Sequence, residues 1–268
     1  MQTIRQRLWP FLYALTMNKI SACIISYNEV DHIARCIRSL SFCDQILIID
    51  SGSDDGTIAL AESLGAQVIY RKFDGFRSQK QFAVEQAEYD WIISLDADEE
   101  ISEMLRAEIL AEQIAGFKRF SGYRFPRCDF YQGRFLHHGN FYPHHVLRLF
   151  NRRYAGWHGG REIHERVVNT GKTHRLRGDM LHYPYRSFGH EIDKLRSYAQ
   201  MMAKHRSSSG AKASYVKLIV SPVVLFLRGY VLRMGFLDGF PGLIRHLNNA
   251  IYAFQKELYL FDLKLSET

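Results

Sequence analysis

The chain has 268 residues, 47% of them hydrophobic and 24% charged, enough apolar material for a sizeable core and too much for a disordered chain. Its 19 glycines and 6 prolines exclude a collagen-like repeat. A formal net charge of +7 and a pI near 9.2 favour an anionic partner, whether nucleotide, phosphorylated glycan, acidic lipid surface or nucleic acid, without choosing among them.

The elements read in chain order. Residues 1–18 carry Arg5 and Arg7 before the short apolar stretch Leu8 to Leu15, which Pro10 interrupts and no cleavage site follows, so they read as a surface arm. Ile20 to Ser26 is a strand, Val30 to Leu40 a helix, Gln45 to Asp50 a strand, and Thr57 to Leu64 a helix closed by Gly65. Gln67 to Tyr70 is a third strand, Ser78 to Ala87 a helix, Trp91 to Asp96 a fourth strand, and about Ser102 to Ala115 a helix. Strands separated by helices of this length predict an α/β fold with a mostly parallel sheet covered on both faces. Cys23, Cys36, Cys43 and Cys128 show neither a CxxC pair nor a disulfide framework, and read as reduced, buried thiols in the cytosol.

Beyond residue 188 the pattern turns helical. His190 to Ser207 is a helix, Ser207 to Ala213 a small-residue linker, and Ser214 to Leu232 an apolar helix broken or bent near Pro222. Its uncharged part, Leu218 to Leu227, is ten residues against the roughly 20 of a spanning helix, so no transmembrane span is predicted. Phe240, Leu243, Ile244, Leu247, Ile251, Phe254 and Leu258 form a helical stripe that either packs on the core, docks on a membrane or drives self-association. Lys204, Arg206, Lys212, Lys217, Arg228 and Arg233 surround this region and suit anionic lipid headgroups. The division expected is an arm (1–18), a catalytic domain (19–188, split into 19–100 and 101–188) and a helical region (189–268).

Ligands of parallel sheets bind outside the carboxyl ends of the strands. Those ends carry Ser26, Tyr27, Asn28 and Glu29 after the first strand, Asp50 to Asp55 after the second, and Asp96 with Asp98 after the fourth. Asp96 and Asp98, if extended, point the same way from the pleat, and their repulsion is relieved by a hard cation such as Mg²⁺ or Mn²⁺ held against a phosphorylated substrate. The alternative is an acidic helix start formed by Asp98, Glu99 and Glu100. Asp50 ends its strand, where a carboxylate can accept from a base imide or a ribose hydroxyl, whereas Asp54 and Asp55 read as helix-capping residues. Arg77 and Lys80 open a helix whose free backbone donors favour an anion, and either steady a diphosphate or line a solvated face.

The segments SACIISYNEVDHI, ILIIDSGSDDGT and DWIISLDADEEI, in this order, resemble the successive signatures of glycosyltransferase family 2, the inverting nucleotide-sugar transferases with a GT-A fold, over about residues 19 to 185. The resemblance implies that Asp50 contacts the base, that Asn28 and Glu29 lie against the nucleotide, that Asp96 lies near ribose or metal, that Asp98 coordinates the metal bridging the diphosphate, and that the donor is a UDP-sugar.

Inversion needs a base at the acceptor hydroxyl. The stretch Ala155 to Arg166 holds Glu162, His164 and Glu165, and the resemblance carries the base role onto Glu165; Asp129 and Glu162 are its rivals, and a surface ion pair with Arg161 or Arg166 is the plain alternative. His182, in Met180 to Tyr183, is either a third metal ligand or a core histidine. His137, His138, His144 and His145 read as acceptor-site lining or structure. The chain lacks the Gln-x-x-Arg-Trp motif of processive synthases, which favours transfer of a single sugar. With the Asp-Ser-Gly-Ser-Asp loop and the Gly235 to Gly239 turn it is most similar, within the family, to lipopolysaccharide core β-glucosyltransferases. The expectation is a metal-dependent transferase moving glucose from UDP-glucose to a lipopolysaccharide-core or other lipid-linked acceptor. It would be cytoplasmic and peripheral to the inner face of the membrane, with self-association open and no nucleic-acid partner. A nucleotidyltransferase and a non-catalytic basic binding module are the alternatives.

Overall fold

A computed structural model describes residues 18–161 and 164–265; the arm, apart from Asn18, and Glu162 lie outside the described residues. The described residues form two compact units, one built from residues 18–127 together with those described within His145–Leu181, the other from Cys128–His144 together with residues 182–265.

The first unit begins with β1 (Ile20–Ser26), α1 (Val30–Ser39), β2 (Gln45–Asp50), α2 (Thr57–Ser63), β3 (Gln67–Tyr70), α3 (Phe76–Gln86) and β4 (Trp91–Asp96). The strands lie in the order β3-β2-β1-β4 and all pair in parallel. Their near-continuous apolar runs follow from burial on both faces. Ile20, Ala22 and Ile24 of β1, Ile48 of β2 and Ile93 and Leu95 of β4 face one core with Ile33 and Ile37 of α1. Cys23, Leu47, Ile49 and Ile92 face the other, with Ala83 and Val84 of α3 and Trp157.

After β4 come β5 (Glu99–Ile101) and α4 (Glu103–Ile114), whose start is fixed by the Ser102 hydroxyl accepting from the Leu105 N–H at 3.3 Å. The following strands are β6 (Gly122–Tyr131), β7 (Arg134–Phe135), β8 (His144–Asn151), β9 (Ala155–Arg161), β10 (His164–Asn169), β11 (Thr173–Arg175) and β12 (Met180–His182). β8 pairs antiparallel to β4, so the sheet turns from parallel to mixed beyond the fourth strand, while β9 and β10 form a separate antiparallel pair. Three of the four cysteines are buried, all four are free thiols, and burial pushes the Cys23 thiol up to about 12.

The second unit contains α5 (Phe188–Ser208), α6 (Tyr215–Phe226), a π-helical continuation (Leu227–Leu232), a 3₁₀ turn (Gly235–Asp238) and α7 (Gly239–Leu265), with α7 packed on α5 and α6. Asp238 is buried and accepts from the backbone N–H of His137 and His138, at 3.1 and 2.9 Å, and from the His138 ring at 2.8 Å. Gly139, Gly229 and Gly235 surround His246 so closely that a Cβ at any of them would overlap its ring.

The apolar stretch after Ser214 departs from the expectation. Instead of breaking at Pro222, the helix runs through it, and Tyr215–Leu232 becomes 18 residues long, enough by length and composition to cross a membrane, with only 6% of it buried.

Candidate active site

Register brings the predicted residues together. Ser26 pairs with Asp50 on one side of β1, and Ile25 pairs with Asp96 on the other, so the two carboxylates end strands that flank β1. With strands about 4.8 Å apart, their backbones lie roughly 10 Å from each other across the point where strand order reverses.

The loops after β1 and β2 are zipped to each other. Asp50 is fully buried, and its carboxylate accepts from Ser26 Oγ at 2.7 Å, the Gly52 and Ser53 N–H at 2.8 and 2.7 Å, and Ser53 Oγ at 2.6 Å. Asn28 and Asp54 exchange two 3.0 Å hydrogen bonds, side-chain amide to carboxylate and backbone N–H to side-chain oxygen. The Glu29 N–H donates to Thr57 Oγ1 at 2.9 Å, while the Glu29 carboxylate pairs with the His32 ring at 2.8 Å. Asp55 accepts from the Val30 and Thr57 N–H, tying the starts of α1 and α2. Burial would raise its pKa, but the hydrogen bonds from Thr57 and then the backbone N–H groups, that of Val30 among them, together lower it.

At the end of β4 the pleat argument for Asp98 fails, because Ala97 and Asp98 form a turn between β4 and β5. That turn is held by buried Glu99, which accepts the Asp96 N–H at 2.9 Å. The acidic-helix-start alternative is displaced with it, since Glu99 and Glu100 belong to β5 and the helix begins after Ser102. Burial first, then the charges of Glu99, Asp98, Asp96 and Glu100, pushes the Cys36 thiol on α1 well up.

Two buried cations organise this cluster. Lys80 Nζ, on α3, lies 2.8 Å from Asp96 Oδ1 and 2.8 Å from Glu165 Oε1 on β10. Arg148 Nη2, on β8, lies 3.0 Å from both Asp96 Oδ2 and Glu99 Oε1. Burial would raise the Asp96 pKa, but Lys80 and Arg148 together hold it well below the usual carboxylate range. The same pairing, led by Glu99 and then Asp96, overcomes burial to raise the Arg148 pKa. Both cations lie over the Trp157 ring, Lys80 Nζ at 4.8 Å and Arg148 Cζ at 5.2 Å from its centre. The indole N–H donates to Ser94 Oγ at 3.2 Å, and the Trp157 backbone N–H donates to Gln81 Oε1 on α3 at 2.9 Å.

Thus Ser26, Asn28, Glu29, Asp50, Lys80, Asp96, Asp98 and Glu165 all belong to the first unit, and Lys80 directly joins Asp96 to Glu165. Arg77 is exposed at the start of α3, one turn before Lys80. His182 and Asp129 belong to the second unit, where His182 Nδ1 meets Asp129 Oδ1 at 2.7 Å, an arrangement that orients the ring's other nitrogen. Arg148 and Trp157 were not singled out from the sequence, and Glu99 was read only as part of an acidic helix start. The available signal was an arginine inside the apolar run Val146 to Phe150, a charge that a buried strand tolerates only when paired.

Comparison with known proteins agrees with the motifs. Residues 21–174 match the family model described as Glycosyl transferase family 2. The chain is 34% identical to the lipopolysaccharide core biosynthesis glycosyltransferase LpsC of Rhizobium meliloti (strain 1021), covering 88% of this chain and 89% of that protein. It is 32% identical to the uncharacterized glycosyltransferase RP128 of Rickettsia prowazekii (strain Madrid E), over 92% of this chain and 87% of the relative. Among solved structures, S. aureus TarS 1-349 in complex with UDP-GlcNAc is similar at a TM-score of 0.44 and 13% identity, covering 92% of each chain. Likeness that slight says nothing about substrate. The sequence matches set aside the nucleotidyltransferase and the non-catalytic module: the chain is a glycosyltransferase of GT-A fold, and it belongs to glycosyl transferase family 2.

Proposed function

We propose that the chain moves a single sugar, glucose from UDP-glucose, with inversion, onto a lipopolysaccharide-core or other lipid-linked glycan, and that it works in the cytoplasm at the inner face of the membrane. The observation that carries this reading is Lys80, whose ammonium touches both the carboxylate ending β4 and Glu165. A donor-side acid and a candidate acceptor-side base are thereby held one cation apart.

The chemistry is a displacement. The acceptor hydroxyl oxygen attacks the anomeric carbon, its proton passes to a Glu165 carboxylate oxygen, and the bond from that carbon to the diphosphate oxygen breaks, releasing UDP. The loops after β1 and β2, with Ser26, Asn28, Glu29 and the turn held by Asp50, would shape the nucleotide pocket, and Arg77 would meet the diphosphate. Asp98, a hard oxygen donor in the turn between Asp96 and Glu99, fits a Mg²⁺ or Mn²⁺ ion; both Asp96 oxygens already face cations, so Asp98 would be the principal ligand and Asp96 its neighbour. When bound, such an ion supplies positive charge against the departing diphosphate.

The acceptor class draws its support from the Rhizobium relative, named for lipopolysaccharide core biosynthesis and matched over most of both chains. Released UDP, measured across a panel of UDP-sugars with divalent cation and followed by mass analysis of the product lipid, tests the whole reading. A folded sample that neither binds UDP nor releases it would sink it.

A further inference from the structure

We infer that α6 and its π-helical continuation lie in the plane of an anionic bilayer surface, apolar side sunk among the lipid headgroups and flanking cations on the phosphates. The partner is a phospholipid surface, and the inference deepens the proposed function by supplying the device that would bring the enzyme to a lipid-borne acceptor.

Tyr215, Val216, Ile219, Val220, Val223 and Val224 are all exposed, each by 48% or more, a density of bare apolar side chains that water does not sustain on a surface helix without a partner. Leu227, Val231 and Leu232 extend the strip through the π-helical segment, and Phe236, Leu237 and Phe240 follow it.

Charge names the partner. From Lys194 to Leu237 the chain has no acidic residue and eight basic ones, Lys194, Arg196, Lys204, Arg206, Lys212, Lys217, Arg228 and Arg233. The second unit as a whole holds 13 lysines and arginines against 7 acidic residues, +6 of the chain's +7. A two-fold contact between copies through this face would bring like charges together, whereas phosphates neutralise them.

The helix lies on the bilayer and does not cross it. Its other side is strapped to α7: the Ser214 N–H donates to Glu257 Oε1 at 3.0 Å, and Arg206 pairs with the same carboxylate. Glu257 is buried there, and Lys256 and Arg206 line the same side of the helix beside Val220, Ser221 and Val224, so that side is charged and unsuited to lipid. Lys217 and Arg228 also leave only ten uncharged residues between them, about 15 Å of helix against a hydrocarbon core of about 30 Å.

Flotation of the full chain with phosphatidylcholine vesicles, alone or mixed with phosphatidylglycerol, tests this. The chain should rise with the mixed vesicles and stay behind with the neutral ones. Ile219→Gln with Val223→Gln should weaken binding at least about tenfold, and Lys217→Gln and Arg228→Gln about fivefold each, with melting temperature and UDP binding unchanged. Three results would overturn it: no binding to either vesicle, membrane fractions from cells that release the chain only to detergent, or a concentration-dependent doubling of mass abolished by the same apolar substitutions. UDP binding read in the same samples keeps the two ideas apart, since vesicle binding without UDP binding would spare the docking surface and sink the enzymatic reading.

Discussion

Each unit buries an ion network, and the two differ in where the carboxylates end. In the first, Asp96 and Glu165 share Lys80 yet keep 28% and 14% of their side chains open, at the carboxyl end of a parallel strand and on a β-hairpin. In the second, Glu191 accepts from Tyr131 Oη at 2.6 Å and Arg245 Nη1 at 3.2 Å with its side chain wholly enclosed, and Asp238 stitches His137 and His138 to the 3₁₀ turn with 2% open. The same chemistry, charge matched by charge, is open to a ligand where an oxygen still meets solvent and serves packing where none does.

That contrast breaks most sharply at Asp98. Asp98→Asn should cut turnover by about 10³-fold, roughly 4 kcal/mol, with little change in melting temperature, because it removes charge where the leaving group departs. A matching loss of thermal stability would place Asp98 with the packing acids instead. Glu191→Ala should do the reverse: leaving buried Arg245 unpaired costs about 3 kcal/mol, a drop of about 10 °C by calorimetry, while UDP affinity of the folded fraction holds.

Lys80→Met sharpens the first network from within. It leaves two carboxylates facing each other without their shared cation, so kcat/KM should fall by about 10²-fold, and Lys80→Arg should restore part of it. An unaltered rate would mean that the bridge belongs to folding alone.

The smallest effect concerns pH. Burial first, then Arg245, lowers the His246 pKa below its usual 6.5, opposed by Asp238. A histidine kept neutral in the fold contributes its full stability above 6.5, and loses it as pH falls from there toward the lowered folded value, since the unfolded chain takes up the proton first. Melting curves recorded down through this range should show a slope that His246→Gln flattens.

How much of this was legible in the sequence depended on how local the cause was. The bounds of β1 to β4 followed from apolar runs read directly, and Asp50 and Asp96 from their places at strand ends. The strands from β5 to β12 were not assigned, because the region is rich in aromatics and histidines and its pairings join distant segments, as β8 does with β4. Asp98 was misjudged in geometry because a turn, set by a Glu99 side chain reaching back to the Asp96 N–H, replaced the extended strand. The link from Asp238 to His137 and His138 spans about 100 positions and leaves no periodic trace.

Trp157 gives the ion cluster around Lys80 and Arg148 an optical consequence. Only three tryptophans occur in the chain, and Trp91 is stacked on Phe117 in the other core, on the far face of the sheet. An indole with a lysine and an arginine poised over its ring feels any shift of those charges in its excited-state dipole. Titrating UDP against the protein's intrinsic emission should therefore report, without a label, the moment at which donor arrival redistributes charge around Lys80 and Arg148.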